Sequence, residues 1–302
     1  MSKYADEPKT REFTALGARC LAPTAAPGLH VVATPIGNLA DITLRALETL
    51  AGVDLILAED TRYSRRLTDH YGISTPMSPY HEHNAEQARP QILSKLERGE
   101  SLALISDAGT PLISDPGYKL VAEARRLGAT VIPVPGPSAL LAGLVAAGMP
   151  TDRFFFEGFL PAKSEARRAR LNGLAAIDAT LVFYEAPQRL AACLADLAAE
   201  LGARPATVAR ELTKINETLD TGTLDELAAR YSSREIKGEI VVVVGPPGAR
   251  EAVDAGRLRL EMEALLGTHG VKDAAAVLAA RHGLPRRELY ALALEAARER
   301  ST

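Results

Sequence analysis

Two cysteines in 302 residues, Cys20 and Cys193, are too few and too far apart for a disulfide framework or a zinc site, and they fit a reducing compartment. No apolar run approaches the roughly 18–20 residues that a membrane span needs, and the N-terminus carries no signal-peptide hydrophobic stretch. A cytoplasmic protein without a membrane segment is therefore expected. The 35 Lys and Arg against 38 Asp and Glu leave a formal charge of −3. That balance argues against a surface coated for nonspecific nucleic-acid binding, although a local basic patch is compatible with it. Several signatures are missing as well. The segment Thr34-Pro35-Ile36-Gly37-Asn38 supplies one glycine where a dinucleotide-binding turn needs three, and no G-x-x-x-x-G-K-[ST] phosphate loop occurs. Gly136-Pro137-Ser138-Ala139-Leu140 lacks the second glycine of a hydrolase nucleophile elbow. His81-Glu82-His83 lacks a third ligand at defined spacing, so no metal is expected.

What is present is an α/β pattern. With 47% hydrophobic residues the chain is long enough for two domains and a small appendage. Residues 1–27 mix charges, Ala and Pro without sustained period and read as a mobile N-terminal extension. From Gly28, short β-branched or apolar runs alternate with helical patterns: Leu29 to Thr34, Val53 to Ala58, Met77 to Tyr80, Leu102 to Ile105 and Thr130 to Val134. This alternation predicts a parallel sheet in a first domain over 28–149. After Pro150-Thr151-Asp152 a second series, with runs at Phe154 to Phe159, Thr180 to Tyr184, Ala206 to Ala209 and Ile240 to Val244, predicts another α/β domain over 150–248. Beyond Gly245-Pro246-Pro247-Gly248 the chain becomes rich in Ala, Leu and Arg, a helical tail over 249–302. There Asp273 is placed to cap a helix running to His282, Gly283-Leu284-Pro285 makes a turn, and Arg286 to Arg298 resumes the helix. The tail is either a helix-turn-helix presenting Arg286, Arg287 and Tyr290 or a helical hairpin with Arg on its wet face.

The distinctive polar segments all fall at the ends of predicted first-domain strands. They are T-P-I-G-N-L-A-D (34–41), A-E-D-T-R (58–62), Y-H-E-H-N (80–84), S-D-A-G-T-P-L-I-S-D-P-G (106–117) and P-V-P-G-P-S-A (133–139). In an open α/β sheet ligands gather at the carboxyl ends of strands. In the longest loop Gly109 and Gly117 permit close backbone approach while Pro111 and Pro116 fix φ. Any one of these segments is explicable as a cap or turn; five together are not.

On these segments, and on L-V-F-Y-E-A-P-Q-R-L (181–190), A-R-E-L-T-K-I-N-E (209–217) and G-E-I-V-V-V-V-G (238–245), the chain resembles the tetrapyrrole methylase family from about Leu29 to Gly245. The resemblance is strongest to the subgroup that methylates a cytidine 2′-hydroxyl in the decoding region of small-subunit ribosomal RNA. It implies the two-domain class III S-adenosylmethionine methyltransferase fold, with the cofactor folded into the cleft between the domains, a small C-terminal helical domain, and a homodimer. By the same resemblance Pro35, Asp107, Ala108, Gly109, Thr110, Pro111, Ser138 and Ala139 line one side of the cofactor, and Tyr184, Leu212, Glu239 and Ile240 the other.

S-adenosylmethionine presents a sulfonium, an amino-acid end, a ribose and an adenine, and it needs no phosphate cradle. Backbone amides near small residues and a carboxylate such as Asp107 suit it. Transfer to a ribose hydroxyl requires in-line alignment and help in removing the proton. Glu59, Asp60, Glu82, Glu217 and a neutral Lys214 are candidates, with Asp60 or Glu59 first because they end a central strand. Arg62, His81, Asn84, Arg210 and Lys214 are candidate substrate contacts. The run Lys163 to Arg170 is either RNA-binding surface or a solvated helix face. Two other readings stay open: a methyltransferase for a tetrapyrrole or other small molecule, and a nucleic-acid-binding regulator built on the tail.

Overall fold

The computed structural model describes residues 11–115, 117–248, 255–282 and 286–299, which fall into two compact units divided along the sequence between Pro246 and Pro247. The described chain begins with a hairpin, β1 (Glu12–Ala15) and β2 (Ala18–Leu21), paired antiparallel. Phe13 and Ala15 are buried in one core with Leu47 and Tyr71, and the Thr14 N–H donates to the Tyr71 carbonyl at 2.7 Å. Residues 12–21 are thus packed structure rather than the mobile extension the sequence suggested. That reading missed them because two four-residue strands carry too little period to register.

Five parallel strands follow: β3 (Gly28–Val32), β4 (Leu55–Ala58), β5 (Met77–Pro79), β6 (Ser101–Ile105) and β7 (Val131–Val134). Their order is β5-β4-β6-β3-β7. Four helices cover the sheet: α1 (Leu44–Gly52), α2 (Thr61–His70), α3 (Ala85–Glu97) and α4 (Tyr118–Arg126). Successive strand residues point to opposite faces. Val32, Ile56, Ala103 and Ile105 accordingly join α1 and α2 in one core, while Leu29, Leu57, Leu102 and Leu104 join α3 and α4 in another. Every residue of β6 is buried, as an unbroken apolar run covered on both faces requires.

The next helix, α5 (Ala139–Ala146), reads ALLAGLVA without a polar residue, yet it buries one face only: Leu140 and Leu144 are inside while Leu141 and Val145 are exposed. Leu140, Leu144 and Ala147 pack in one cluster with Val182, Ala209, Val241 and Val243 of the second sheet. Gly143 makes the closest approach: a Cβ there would lie 2.8 Å from Val241 Cγ1.

That sheet consists of β8 (Phe154–Phe159), β9 (Thr180–Glu185), β10 (Pro205–Arg210), β11 (Thr218–Thr223) and β12 (Ile240–Val244), in the order β11-β10-β12-β9-β8. Only β8 and β9 pair in parallel. The edge strand β11, TLDTGT, is polar and mostly exposed, and so escaped a search for apolar runs. The outer face of the sheet carries α6 (Ser164–Leu174), α7 (Leu190–Leu201) and α8 (Leu224–Tyr231) over a core of Leu, Val and Phe183.

The C-terminal unit contains α9 (Ala255–Leu265), α10 (Val271–His282) and α11 (Arg286–Glu299) around Met262, Ala274, Leu278, Leu289 and Ala293. Helix α10 begins at Val271, so Asp273 sits in its first turn, where a carboxylate favours the positive helix end, rather than at the cap. The expected turn Gly283-Leu284-Pro285 and the loop residue Pro116 lie outside the described residues. Among the described residues no helix is long and apolar enough to cross a membrane.

Candidate active site

A cavity of about 410 Å³ lies between the two sheets, at the carboxyl ends of β4 and β6 and against β9 and β12. The long loop after β6 forms one wall. It is pinned by an isolated bridge in which Thr34 and Gly109 exchange backbone hydrogen bonds at 2.9 and 3.0 Å, and by the Thr110 hydroxyl donating to the Pro137 carbonyl at 3.0 Å. Leu112 and Ser114 in this loop hold φ values of 75° and 65°, a left-handed conformation that costs side chains energy and is held here by its surroundings. The loop reaches the second domain, for a Cβ on Gly158 of β8 would lie 2.9 Å from the Ser114 hydroxyl.

The opposite wall comes from Tyr184, Leu212, Ile240 and Val241, with Phe159 at its side. Tyr184 joins the walls: its hydroxyl accepts from the Leu140 N–H at 3.1 Å, and burial raises its pKa. Phe156 and Phe159 contact the Tyr184 ring edge-on, at centroid distances of 4.9 and 5.7 Å.

The charges in the lining are of one sign. Glu59, Asp107, Asp115, Glu185 and Glu239 line the cavity, and no Lys, Arg or His does. Glu185 is neutralised from behind by Arg189 at 3.1 Å. Glu239 is likewise paired, with Lys214 at 3.1 Å, whereas the three carboxylates on the first-domain side form no ion pair among the described residues. Burial, reinforced by the charges of Asp115 and Asp107, raises the pKa of Glu59. Burial likewise raises Asp107, against a lowering hydrogen bond from the Asp60 N–H at 3.0 Å, and raises Asp115 despite a hydrogen bond from Ser106. Like charges gathered in a partly desolvated cleft favour a cationic ligand.

Most of the residues expected around a cofactor converge here. Asp107, Ala108, Gly109, Thr110, Ser138, Ala139, Tyr184, Leu212, Glu239 and Ile240 all line the cavity. Pro35 faces a neighbouring cavity and Ile36 takes its place, while Pro111 is buried beneath the loop and touches neither. Ile36, Ile113, Asp115, Glu185, Ala186, Gly238 and Val241 also line the cavity; they fall inside the segments singled out from sequence but were given no cofactor role there, and Phe159, the end of the run Phe154 to Phe159, lies outside those segments.

The two leading candidates for the base separate. Asp60 is the N-cap of α2: its carboxylate accepts from the Arg62 N–H at 2.8 Å and the Tyr63 N–H at 3.4 Å, and these bonds with the Arg62 guanidinium lower its pKa. It is absent from the cavity lining, whereas Glu59 is in it and its pKa moves the other way. Lys214 is also removed as a base. Burial alone would lower its pKa, yet Glu211 at 2.9 Å and Glu239 at 3.1 Å outweigh that and keep the ammonium charged.

The expected substrate contacts do not form one cluster. Asn84 closes a turn, its amide donating to the Pro79 carbonyl and its oxygen accepting from the His81 N–H, both at 2.9 Å. Arg210 donates to the Lys237 and Asn216 carbonyls at 3.2 Å, and its side chain braces the turn after β10. Lys214 lies over Gly37 with its stem where a Cβ would be. Arg62 is exposed at the start of α2, within 3.4 Å of Asp60. In the basic run Lys163 to Arg170 the three arginines are committed to carboxylates, Arg167 to Asp196, Arg168 to Glu200 and Arg170 to Glu157, all within 2.6 Å, while Lys163 is exposed. Among the described residues no cluster of potential metal ligands occurs.

A family model described as Tetrapyrrole (Corrin/Porphyrin) Methylases matches residues 28–228, and one described as the RsmI C-terminal HTH domain matches residues 260–297. The chain is 55% identical over 242 residues to ribosomal RNA small subunit methyltransferase I of Mesorhizobium japonicum, covering 79% of this chain and 82% of that protein. It is 52% identical over 269 residues to the protein of the same name from Xylella fastidiosa strain Temecula1, covering 87% and 98%. A solved structure of uroporphyrin-III C-methyl transferase from Thermus thermophilus, complexed with S-adenyl homocysteine, superposes with a TM-score of 0.51 at 20% identity, covering 72% of this chain and 97% of that one. At that identity the likeness is one of fold.

Proposed function

Because the chain belongs to the tetrapyrrole methylase family, we propose that it methylates the 2′-hydroxyl of a cytidine ribose in small-subunit ribosomal RNA, using S-adenosylmethionine. The observation that carries the cofactor is the lining of the central cavity, where Glu59, Asp107 and Asp115 form no ion pair among the described residues and stand beside the apolar Ile36, Ile113, Leu212 and Val241. That donor set repels phosphates and suits a ligand with a sulfonium, an ammonium and a flat adenine. The names of the relatives support small-subunit ribosomal RNA as the substrate, and the cytidine 2′-hydroxyl rests on the resemblance of the sequence motifs to the subgroup that methylates it.

Asp107 and Asp115 would hold the cationic end of S-adenosylmethionine by charge, and Tyr184 with Leu212 and Ile240 would close on its apolar part; bound there it would supply an electrophilic methyl for the acceptor oxygen, with the electron pair of the broken carbon–sulfur bond left on sulfur. Glu59 accepts the hydroxyl proton, its raised pKa bringing its basicity closer to the working pH. Asp60 positions α2 and holds the Asp107 carboxylate through its N–H. The enzyme acts in the cytoplasm as a homodimer, a state supported by the exposed Leu141 and Val145 on α5, which are 50% and 72% accessible.

The test is incubation with methyl-labelled S-adenosylmethionine and small ribosomal subunits from cells lacking ribose methylation, followed by nuclease digestion and mass spectrometry. Label recovered as 2′-O-methylcytidine is the expected result. Label on a base, or only on a porphyrinoid offered in parallel, overturns the proposal. Light scattering at micromolar protein checks the dimer.

A further inference from the structure

A second cavity, of about 210 Å³, adjoins the first and shares Asp107 with it. Its other walls include Pro35 and Leu39 from the loop after β3, and Tyr63, Ser64 and Arg66 from α2. Three features distinguish it. Ser64 is 4% exposed and its hydroxyl has no hydrogen-bond partner, an unmet polar group in the cavity wall. Tyr63 is 48% exposed, with the Arg66 guanidinium 5.8 Å from its ring centroid, so two π-surfaces stand at the rim. Arg65 and Arg66 are both exposed and, among the described residues, neither forms an ion pair. Unlike Arg167, Arg168 and Arg170 of α6, which are all paired to carboxylates, these two arginines leave uncommitted positive charge beside this cavity.

An aromatic, unpaired guanidinium groups and an unsatisfied hydroxyl around a pocket next to a carboxylate-lined cleft make a recognisable combination. A single-stranded ribonucleotide is bound by stacking of its base and by cations on its phosphates. We infer that the second cavity and the exposed face of α2 hold the acceptor nucleotide. A base stacks on Tyr63 or the Arg66 plane, the Ser64 hydroxyl meets a polar group of the nucleoside, and Arg65 and Arg66 take the flanking phosphates. Asp107, common to both cavities, marks where acceptor and methyl donor meet. This inference rests on the proposed RNA methylation and names the part of the surface that carries it.

The full-length protein is tested as Tyr63→Ala, as the double variant Arg65→Ala/Arg66→Ala, and as Arg168→Ala for a paired arginine elsewhere. Binding to unmethylated small subunits is followed by filter retention across a salt series, and cofactor affinity by calorimetry. Loss of one stacked base weakens binding roughly tenfold or more, and loss of two phosphate contacts flattens the plot of log K against log salt by roughly 1.4. Cofactor affinity stays within about twofold of the parent in each case, and Arg168→Ala binds like the parent. If the parent methylates small subunits while the Tyr63 and double variants bind them with unchanged affinity and salt slope, the inference fails and RNA methylation stands. If the parent neither binds nor methylates them, both fall.

Discussion

Replacing Arg167 by Met separates architecture from RNA binding in the one strongly basic stretch of the second domain. The Arg167 side chain is 4% exposed and Asp196 13%, and their charges approach to 2.6 Å. The guanidinium also donates to the carbonyl of Ala162 at 3.2 Å. Met fills the space of the aliphatic stem but leaves the Asp196 carboxylate with the Ser164 hydroxyl, at 2.9 Å, as its remaining donor. Removing one partner of a buried pair costs about 3–5 kcal/mol, because the other charge stays buried. For a unit of this size each kcal/mol lowers the melting temperature by about 2–4 °C, so a loss of roughly 6–20 °C is expected by differential scanning calorimetry. Asp196→Leu in the same background removes the stranded charge and should restore much of the loss, which an unrelated packing defect would not allow. A melting temperature within about 2 °C of the parent, with weakened binding to small ribosomal subunits, would refute this account and return the stretch to the RNA surface.

Glu59→Gln should slow methyl transfer about 10²- to 10⁴-fold, with the fold intact by circular dichroism; an Asp60→Asn variant that loses as much activity would reassign the base. Since Glu59 must be ionised to accept a proton and its pKa is raised by burial and by Asp115 and Asp107, kcat/KM should fall with acid at a pH above the ordinary carboxylate range. In Glu59→Gln that limb should vanish from whatever rate remains. Asp115 also has a raised folded pKa, from burial first and then from Asp107. Its contribution to stability is therefore present below the unfolded value and lost as pH rises through the folded one. Asp115→Asn should accordingly raise the melting temperature of the ligand-free protein near pH 7, an advantage that disappears below about pH 3.9, and it should weaken cofactor binding measured by calorimetry. Equal melting temperatures at neutral pH would show that the Asp115 charge is not under strain.

The first-domain sheet was legible in the sequence because its central strands β3, β4 and β6 are largely buried apolar runs followed by turn-forming loops, and the carboxyl-end rule then gathered the polar segments at one edge. The cofactor wall was legible for the same reason. Side-chain commitment was not. Asp60 and Glu59 are neighbours with the same carboxylate, and only the start of α2 decides that one caps a helix while the other faces the cleft. Arg167 reads as surface charge, yet it lies inside because Asp196, 29 residues later, meets it there. Tyr63 and Arg66 lie just past the segment 58–62 that was singled out, and their contact depends on the three-residue spacing of a helix. The hairpin at 12–21 and the polar edge strand β11 carry too few apolar residues for a period to emerge.

Helix α5 lies in one apolar cluster with the inner face of the second sheet, and Gly143 lets that contact close to van der Waals distance against Val241. Two layers that share a core in this way cannot swing apart like jaws without exposing Leu140, Leu144, Val182 and Val243 to water. Traffic through the cleft therefore falls to the structures at its rim: the strained loop after β6, and the turn at 211–217, whose Thr213 hydroxyl accepts from the Asn38 N–H at 3.2 Å. Turnover in this enzyme would then be paced by the local release of such short latches, which break few contacts, while α5 stays packed on the second sheet throughout the cycle.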